Sequence, residues 1–171
     1  AYDSLLDAII RKGADINAVL PSQFGGPISP LWYTLLLGKN IYESLLERGA
    51  DVNKHIDRQI QSRVGPYKAE IQAKRGDSPL HWAARINRSD MARIFLRYGA
   101  RVNARNAEGK TPLQVLLQII ESSNREEQYY YTLEVLIKDG AANVNITDQQ
   151  NQPFLHLVVR EHFGFSRDRL L

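Results

Sequence analysis

Residues 78–103 read SPLHWAARINRSDMARIFLRYGARVN, and this stretch decides the fold. Ser78 followed by Pro79 is a helix start, because a serine hydroxyl caps free backbone N–H groups and proline is pre-set for the first helical position. Apolar residues then recur at helical spacing on two successive stretches, which the largely polar run 85–90 separates. Gly99 stops the second helix, since the left-handed residue after the last turn favours glycine. The stretch therefore predicts a helix, a tight turn and a second helix.

The same pattern recurs along the chain. The Gly-Ala step that follows each second helix occurs at Gly13-Ala14, Gly49-Ala50, Gly99-Ala100 and Gly140-Ala141. A short return to asparagine follows each step, with one extra residue in the last copy. The proline start occurs at Ser29-Pro30, Ser78-Pro79 and Thr111-Pro112, with a weaker echo at Pro153. This self-similarity predicts a stack of helix-turn-helix units in which the four glycines are left-handed helix stops.

These residues resemble the ankyrin repeat family. The SPLHWAA of residues 78–84 stands for the family's T-P-L-H-x-A-A motif, and the GARVN of residues 99–103 stands for its G-A-D-V-N motif. The resemblance implies an all-α fold, an ankyrin-repeat solenoid of helix-turn-helix units with about four to five repeats and irregular insertions. It also implies one domain over residues 1–171. The approximate repeats are 1–27, 28–53, 78–110, 111–151 and 152–171, with an inserted finger loop at 54–77.

The insertion between Asn53 and Ser78 departs most from the repeat pattern. These two residues are 25 positions apart, whereas Asn103 and Thr111 are 8 positions apart. Residues 54–77 carry six Lys or Arg against three Asp or Glu, which gives a local charge of +3. We expect residues 56–73 to lie outside the regular stack, because a long surface insertion costs little closure entropy.

Two further stretches are irregular. Residues 23–27 (QFGGP) are typical of a flexible elbow. The polar run 121–128 predicts either a long loop between two helices or an extension of both helices, and the sequence leaves both open. Because the chain starts in a second helix and ends without a glycine stop, we expect a fragment of a longer protein or unusual terminal caps.

Bulk composition limits the classes of function. The formal charge is +3, from 22 basic and 19 acidic residues, which indicates a mixed surface rather than the basic field of a nucleic-acid-binding protein. Nucleic-acid binding through the basic insertion stays a minor alternative. The chain has no cysteine, so disulfides and thiolate zinc sites are excluded and a reducing compartment is favoured. The apolar stretches are far shorter than the roughly 20 residues of a membrane span, and we expect an intracellular protein, cytoplasmic or nuclear.

The sequence shows no constellation for catalysis, cofactor binding or metal binding. His81 and His156 occupy the histidine position of the family motif, where the resemblance implies a hydrogen bond between adjacent repeats. His55 and His162 have no histidine partner at the i, i+4 spacing of a zinc-binding helix. No glycine-rich phosphate loop and no nucleophile elbow occurs. We therefore expect no enzyme activity, no cofactor and no metal.

The aromatic residues are expected to serve the core rather than recognition. Trp32, Tyr33 and Trp82 could stack on nucleic-acid bases, but tryptophan in the first helix of a repeat is more often core or groove wall. In the run 129–131, three consecutive tyrosines, we expect at least two side chains to face the stack of the fourth repeat.

The loop tips and the variable positions of the first helices are the predicted binding surface. A stack of repeats forms an extended concave wall whose exposed positions can vary. The resemblance implies that the tip and groove positions of the last three repeats face solvent and contact a partner protein. These positions are Lys74, Arg75, Asp77, Arg85, Ile86, Ala107, Glu108, Lys110, Gln118, Ile119, Gln149, Gln150, Gln152 and Arg160. Basic residues outnumber acidic ones among them, so an acidic or phosphorylated segment is the expected ligand.

Two classes of function therefore stay open. In the first, the chain is a monomeric protein-interaction module that binds a partner protein through the concave face and finger loops, without catalysis. In the second, it is a targeting or structural arm of a larger enzyme or effector and packs on another domain of the same chain. An exposed, loop-rich groove favours the external partner.

Overall fold

The fold is mainly helical. A computed structural model describes residues 2–22, 26–63, 70–122, 129–147 and 153–154. The helices in these ranges are α1 (Tyr2–Arg11), α2 (Pro30–Leu36), α3 (Tyr42–Glu47), α4 (Pro79–Arg85), α5 (Ser89–Arg97), α6 (Pro112–Ser122), α7 (Tyr130–Glu134) and a π-helix (Val135–Asp139) that continues α7. The helices α2 and α3, and likewise α4 and α5, form packed pairs, as the sequence predicts.

Two short antiparallel sheets accompany the helices. Strand β1 (Leu20–Ser22) pairs with β2 (Gly26–Ile28), and β3 (Ile60–Arg63) pairs with β4 (Glu70–Ala73). The expectation of an all-α fold is corrected in this respect. A connection longer than the ordinary turn has more backbone N–H and C=O groups to satisfy, and it satisfies them by pairing with itself. Two residues of the expected elbow, Gly26 and Pro27, lie in β2, and 23–25 lie outside the described residues.

The predicted helix starts are confirmed by their capping contacts. Ser78 Oγ accepts a hydrogen bond from the His81 backbone N–H at 3.4 Å, and His81 Nδ1 accepts one from the Ser78 backbone N–H at 3.1 Å. Thr111 and Gln114 make the same reciprocal pair at the start of α6, at 3.3 and 3.1 Å. In α2, Ser29 Oγ accepts from the Trp32 backbone N–H at 3.4 Å. The Ser/Thr-Pro signal is therefore a local capping device in all three helices.

Three of the four predicted glycine stops are confirmed. Gly13, Gly49 and Gly99 have φ angles of +93°, +90° and +82°. After each of them the backbone N–H of the following alanine donates to a carbonyl five residues back, as Ala100 does to Phe95 at 2.9 Å. This bond satisfies a carbonyl that the end of the helix leaves without a partner.

The prediction for the fourth stop is wrong. Gly140 has a φ of −94°, and the left-handed residue is Ala141, with a φ of +50°. The π-helix absorbs the extra residue of this copy and moves the left-handed position along by one. Gly140 is still required, since a methyl group on it would lie 2.8 Å from the Leu136 carbonyl oxygen and 2.9 Å from Val102 Cγ2. Glycine is used here for close approach rather than for its φ angle.

The core runs through the helical pairs. Trp32 and Trp82 are buried and meet edge to face with ring centroids 6.3 Å apart, which confirms that they serve the core. Tyr42 and Phe95 make a similar contact at 5.8 Å. The small side chains of residues 83 and 84 are fully buried where α4 packs against α5 and α6.

The base of the long insertion belongs to the core. Ile56, Ile60 and Ala73 are buried in the same apolar cluster as the helices. The expectation that residues 56–73 lie outside the regular stack is therefore wrong for these three residues. Burial of apolar side chains at the foot of a hairpin stabilises its attachment to the helices.

The first of the two helices around the polar run 121–128 is extended. Helix α6 has 11 residues, whereas α4 has 7. Residues 123–128 lie outside the described residues, as do His156 and His162. None of the helices that the structure describes has both the length and the apolar character needed to cross a bilayer.

Candidate functional site

Two of the turns that connect the helical pairs lie against each other and form what we call the finger row, residues 54–63, 70–77 and 104–110. The Arg75 carbonyl accepts a hydrogen bond from the Ala107 backbone N–H at 3.1 Å. Gly76, with a φ of +80°, approaches the Ala107 backbone so closely that a side chain on it would overlap the Ala107 nitrogen. The two tips are therefore held in a fixed register.

Asp77 is the hub that holds the finger row together. Its side chain is 0% exposed. Oδ2 accepts from Arg85 Nη2 at 2.9 Å, from Arg85 Nε at 3.1 Å and from the Lys74 backbone N–H at 2.9 Å. Oδ1 accepts from Asn106 Nδ2 at 2.9 Å. This one buried carboxylate joins helix α4 to two successive fingers, and its charge is paired as burial requires.

These contacts correct two of the predicted exposed positions. Asp77 cannot meet a partner from its buried position, so we correct it from a contact residue to a positioning residue. Arg85 has only 12% of its side chain exposed, and its guanidinium is committed to Asp77. The prediction that Arg85 faces solvent is therefore wrong. A buried carboxylate is costly without a charged partner, and Arg85 supplies that partner to Asp77.

A second charged group lies at the exposed edge of the finger row, and we call it the lysine clamp: Lys74, Glu108, Lys110 and Gln118. Lys74 Nζ donates to Glu108 Oε1 at 2.6 Å, and Lys110 Nζ lies 3.5 Å from Glu108 Oε2. Lys110 Nζ also donates to Gln118 Oε1 at 2.6 Å. The hydrogen bond from the Lys74 ammonium lowers the pKa of the Glu108 carboxyl. Each carboxylate oxygen of Glu108 therefore faces one lysine, and the two lysines come from successive fingers.

His81 anchors the finger that carries Lys110. Its Nδ1 accepts from the Ser78 backbone N–H, so Nε2 carries the proton and donates to the Lys110 carbonyl at 2.9 Å. Burial lowers the pKa of His81 and keeps the ring neutral. A structural hydrogen bond of His81 is therefore present, but by the predicted bounds Lys110 is the last residue of the same repeat, so the bond does not cross between repeats. Trp32 has the same position in α2, and its Nε1 donates to the Lys54 carbonyl at 2.6 Å.

Asn106 holds the turn of the second finger in place, and it is not among the residues singled out from the sequence. Besides bonding Asp77, its Oδ1 accepts from the backbone N–H groups of Glu108 and Lys110, both at 3.0 Å. It thereby shapes the turn that presents both side chains. The signal was present in the sequence, because an asparagine three residues before Gly109 is typical of a turn closed by its own side chain.

A ladder of asparagines joins the units at the ends of the second helices. Asn17 Nδ2 donates to the Gly49 carbonyl at 3.1 Å, and Asn17 Oδ1 accepts from the Asp51 backbone N–H at 2.7 Å. Asn53 makes the equivalent pair with residues 99 and 101, at 3.0 and 2.8 Å. At the next junction, Asn103 Oδ1 accepts from the backbone N–H of residue 143 at 2.8 Å. The return to asparagine in each copy is thus a device for register between units.

The remaining predicted positions are distributed as follows. Arg75 and Ala107 are exposed on the finger row, and Ile86, Gln118 and Ile119 are half-buried on the first helices. The other predicted positions lie outside the described residues: Gln149, Gln150, Gln152 and Arg160. Within the described ranges, no group of three or more His, Asp or Glu side chains is arranged to hold a metal ion.

The tyrosine run differs from the expectation. Two of its members, Tyr130 and Tyr131, are exposed and touch each other edge to face, with ring centroids 6.4 Å apart. The expectation that at least two of the three tyrosines face the stack is therefore wrong. Thr132 and Val135 take the buried positions instead, because the helix begins only at the second tyrosine and its buried face follows from that start.

Comparisons with known proteins agree with the repeat pattern. The family model of the ankyrin repeat matches residues 75–107. Rabankyrin-5 of Homo sapiens is 30% identical over 106 residues, which are 62% of the chain and 8% of that protein. A putative ankyrin repeat protein of Rickettsia bellii (strain RML369-C) is 40% identical over 73 residues, 40% of the chain and 42% of that protein. The E3 ubiquitin-protein ligase Ufd4 of Drosophila melanogaster is 29% identical over 124 residues, 72% of the chain and 4% of that protein. The chain spans less than half the length of each of these relatives.

Proposed function

This chain is an ankyrin repeat protein, and on that premise we propose that it binds a partner protein through the finger row and the adjoining first helices, without catalysing a reaction. Ankyrin repeats in general mediate protein-protein interaction. The observation that carries the proposal is the construction of the finger row. Buried Asp77, His81 and Asn106 fix its backbone, while Lys74, Arg75 and Lys110 remain partly or fully exposed on it.

A fixed backbone with charged side chains exposed on it suits recognition. The side chains that meet a partner lose conformational freedom on binding, and a pre-organised scaffold limits that cost to the side chains themselves. The cations of the row exceed its exposed anions, because Asp77 is buried in its pair with Arg85 and the exposed anions of the described side chains are Asp57 and Glu108. The exposed or partly exposed cations are Lys54, Arg58, Lys74, Arg75, Arg105 and Lys110. We therefore propose that the partner presents an acidic segment, and that it binds one copy of this chain inside the cell, in the cytoplasm or the nucleus.

The test is a pulldown with the 171-residue chain, followed by titration of the captured protein against a charge reversal. We expect Arg75→Glu with Lys110→Glu to weaken binding by about tenfold or more and to reduce its dependence on salt. The reason is that a row of positive charges attracts an acidic partner, and salt screens this attraction. Unfolding free energy should fall by no more than about 1 kcal/mol, since Arg75 is exposed and Lys110 loses only partly exposed polar contacts.

The matched control is Arg93→Glu with Arg97→Glu on helix α5. These two arginines are also exposed, so the control carries the same change of net charge on another surface. Equal weakening by the control would show that net charge rather than the finger row governs binding. Unchanged affinity in the Arg75 and Lys110 variant would contradict the proposed site.

A second candidate function has one observation in its favour. Two of the relatives, rabankyrin-5 and Ufd4, are much longer than this chain, and Ufd4 is an E3 ubiquitin-protein ligase of which the matched region is 4%. A targeting or structural arm that packs on another domain of a larger protein fits this relation of lengths. Capture of a separate protein by the chain alone, lost on the finger-row reversal, would favour the external partner over the arm.

A further inference from the structure

The lysine clamp already holds a carboxylate, and that carboxylate belongs to the protein itself. Glu108 Oε1 lies 2.6 Å from Lys74 Nζ, and Glu108 Oε2 lies 3.5 Å from Lys110 Nζ. Two ammonium groups, one from each finger, thus meet the two oxygens of one carboxylate. Charge-assisted hydrogen bonds of this kind are the chemistry by which a protein recognises an aspartate or glutamate of a partner.

Both lysines extend from backbone positions that are held in place. The Lys74 backbone N–H donates to the buried Asp77 carboxylate, and the Lys110 backbone is held on both sides, by His81 at its carbonyl and by Asn106 at its N–H. Gln118 further orients the Lys110 ammonium. The backbones of both lysines and the Lys110 ammonium are therefore held by contacts that do not involve Glu108, and these parts of the clamp are pre-organised.

The anionic half is weakly held by comparison. The Glu108 side chain is 37% exposed, and the lysine side chains are 29% and 30% exposed. Exposed ion pairs stabilise proteins by about 0 to 1 kcal/mol, so little opposes the departure of this side chain. The turn keeps its shape when the side chain leaves, because Asn106 holds the Glu108 backbone N–H rather than its carboxylate.

We propose that Glu108 is an internal stand-in for the ligand: it occupies the lysine clamp in the free protein and is displaced by an aspartate or glutamate side chain of the partner. This rests on the proposed function, and it changes the role of Glu108 from a contact residue to a competitor. The clamp takes a carboxylate by the same two contacts that Glu108 makes. Glu108 then sets a threshold that only a segment with several acidic side chains exceeds, which gives selectivity against weakly acidic surfaces.

The test uses a peptide of six glutamates as the probe, titrated by calorimetry into the full chain at low salt. We expect Glu108→Gln to raise the affinity for the peptide by about two- to fivefold, which is the value of one surface ion pair converted to a binding ratio. Lys74→Met and Lys110→Met should each weaken binding. In a background of Lys74→Met, the gain from Glu108→Gln should shrink, because the competitor and the ligand share that lysine.

Glu134→Gln is the matched control. Glu134 accepts a hydrogen bond from Lys138 at 2.7 Å and is 36% exposed, so this variant removes the same charge from a similar ion pair away from the clamp. An equal gain in affinity from Glu134→Gln would overturn the proposal, since net charge alone would then account for it. No gain from Glu108→Gln, with weakening by both lysine variants, would also overturn it while leaving the proposed function in place.

Two further outcomes complete the test. If neither the lysine variants nor the Arg75 reversal changes peptide binding, the proposed function fails at this surface together with the clamp. Inorganic phosphate is the second probe, and we expect it to compete with the peptide only weakly, because the two contacts match a carboxylate and no arginine fork takes part. Stronger competition by phosphate than by acetate would overturn the assignment of a carboxylate ligand.

Discussion

The regions 78–103 and 111–146 begin alike and end differently. Both start with a Ser/Thr-Pro signal and a reciprocal capping pair, made with His81 in one and Gln114 in the other. The first region then closes at Gly99 in the left-handed conformation, whereas the second passes through a π-helix and closes at Ala141. The comparison teaches that a helix start is settled within four residues, while the position of a helix end is also set by packing against the neighbouring unit.

The largest contrast between the two regions is expected in the core. Trp82 and Val115 occupy the same position of α4 and α6, and both are buried. Trp82 also packs against Trp32, so Trp82→Ala removes an aromatic contact and leaves a large cavity, at a cost of about 3–5 kcal/mol. We expect a smaller loss, about 1–2 kcal/mol, from Val115→Ala, which removes two methyl groups. Urea unfolding followed by circular dichroism measures both, and equal losses would contradict the reading of Trp82 as a link between units.

The next contrast concerns pH, because His81 titrates and Gln114 does not. Burial lowers the pKa of His81 in the folded protein. Between that value and the ordinary pKa of about 6.5, the unfolded chain binds more protons than the folded chain. We therefore expect unfolding free energy to fall as the pH drops below about 6.5. Protonation would also remove the Nδ1 acceptor that the Ser78 backbone N–H requires.

His81→Gln places the residue of the second region in the first and serves as the control for that measurement. We expect a loss of about 0.5–1.5 kcal/mol at neutral pH from the hydrogen bond to the Lys110 carbonyl. We also expect the unfolding free energy of this variant to change less between pH 6.5 and 5 than that of the unsubstituted protein. Chemical denaturation at several pH values across that range measures both. The paired carboxyls with a lowered pKa, such as Glu108, lose their contribution only at more acidic pH, below their ordinary values. Parallel profiles would show that His81 does not titrate in this window.

The smallest contrast lies at the two helix ends, where the same Ala→Gly substitution should change the unfolding free energy in opposite directions. Ala141 has a φ of +50°, which strains any residue with a side chain. Ala141→Gly should therefore raise unfolding free energy by about 0.5–1 kcal/mol. Ala100 follows a left-handed glycine and is not itself left-handed, so Ala100→Gly should lower it by a similar amount through chain entropy. Thermal melts of the two variants would settle it, and a loss of stability in both would contradict the shifted stop.

The sequence predicts well what depends on neighbours along the chain. The helix starts at Ser29, Ser78 and Thr111 depend on contacts within a few residues, and the sequence pattern predicts them directly. The same holds for three of the glycine stops but not for Gly140, whose position also depends on packing. The burial of Asp77 could not be predicted in the same way. Its partners are Arg85 and Asn106, which lie 8 and 29 positions away, and only the folded chain brings them together.

The candidate site shows the same division. The resemblance identified the exposed edge of the finger row, including Arg75 and Lys110, because the family pattern fixes which positions are variable. It did not identify the contacts among those positions. The pairing of Glu108 with two lysines from different fingers depends on the register of the fingers, which Gly76 sets by its approach to the next turn. Sequence spacing carries no information about that approach.

The asparagine ladder has a mechanical consequence. The junctions made by Asn17 and Asn53 each carry two side-chain hydrogen bonds, whereas the junction at Asn103 carries one in the part of the chain that the structure describes. In a linear array each unit touches only its neighbours, so a pulling force must break the junctions in series and the weakest one yields first. The ladder alone does not set that order, because α4 and α5 also pack against α6, α7 and the π-helix. Removing one asparagine side chain should therefore loosen one junction under load and leave the others as they are.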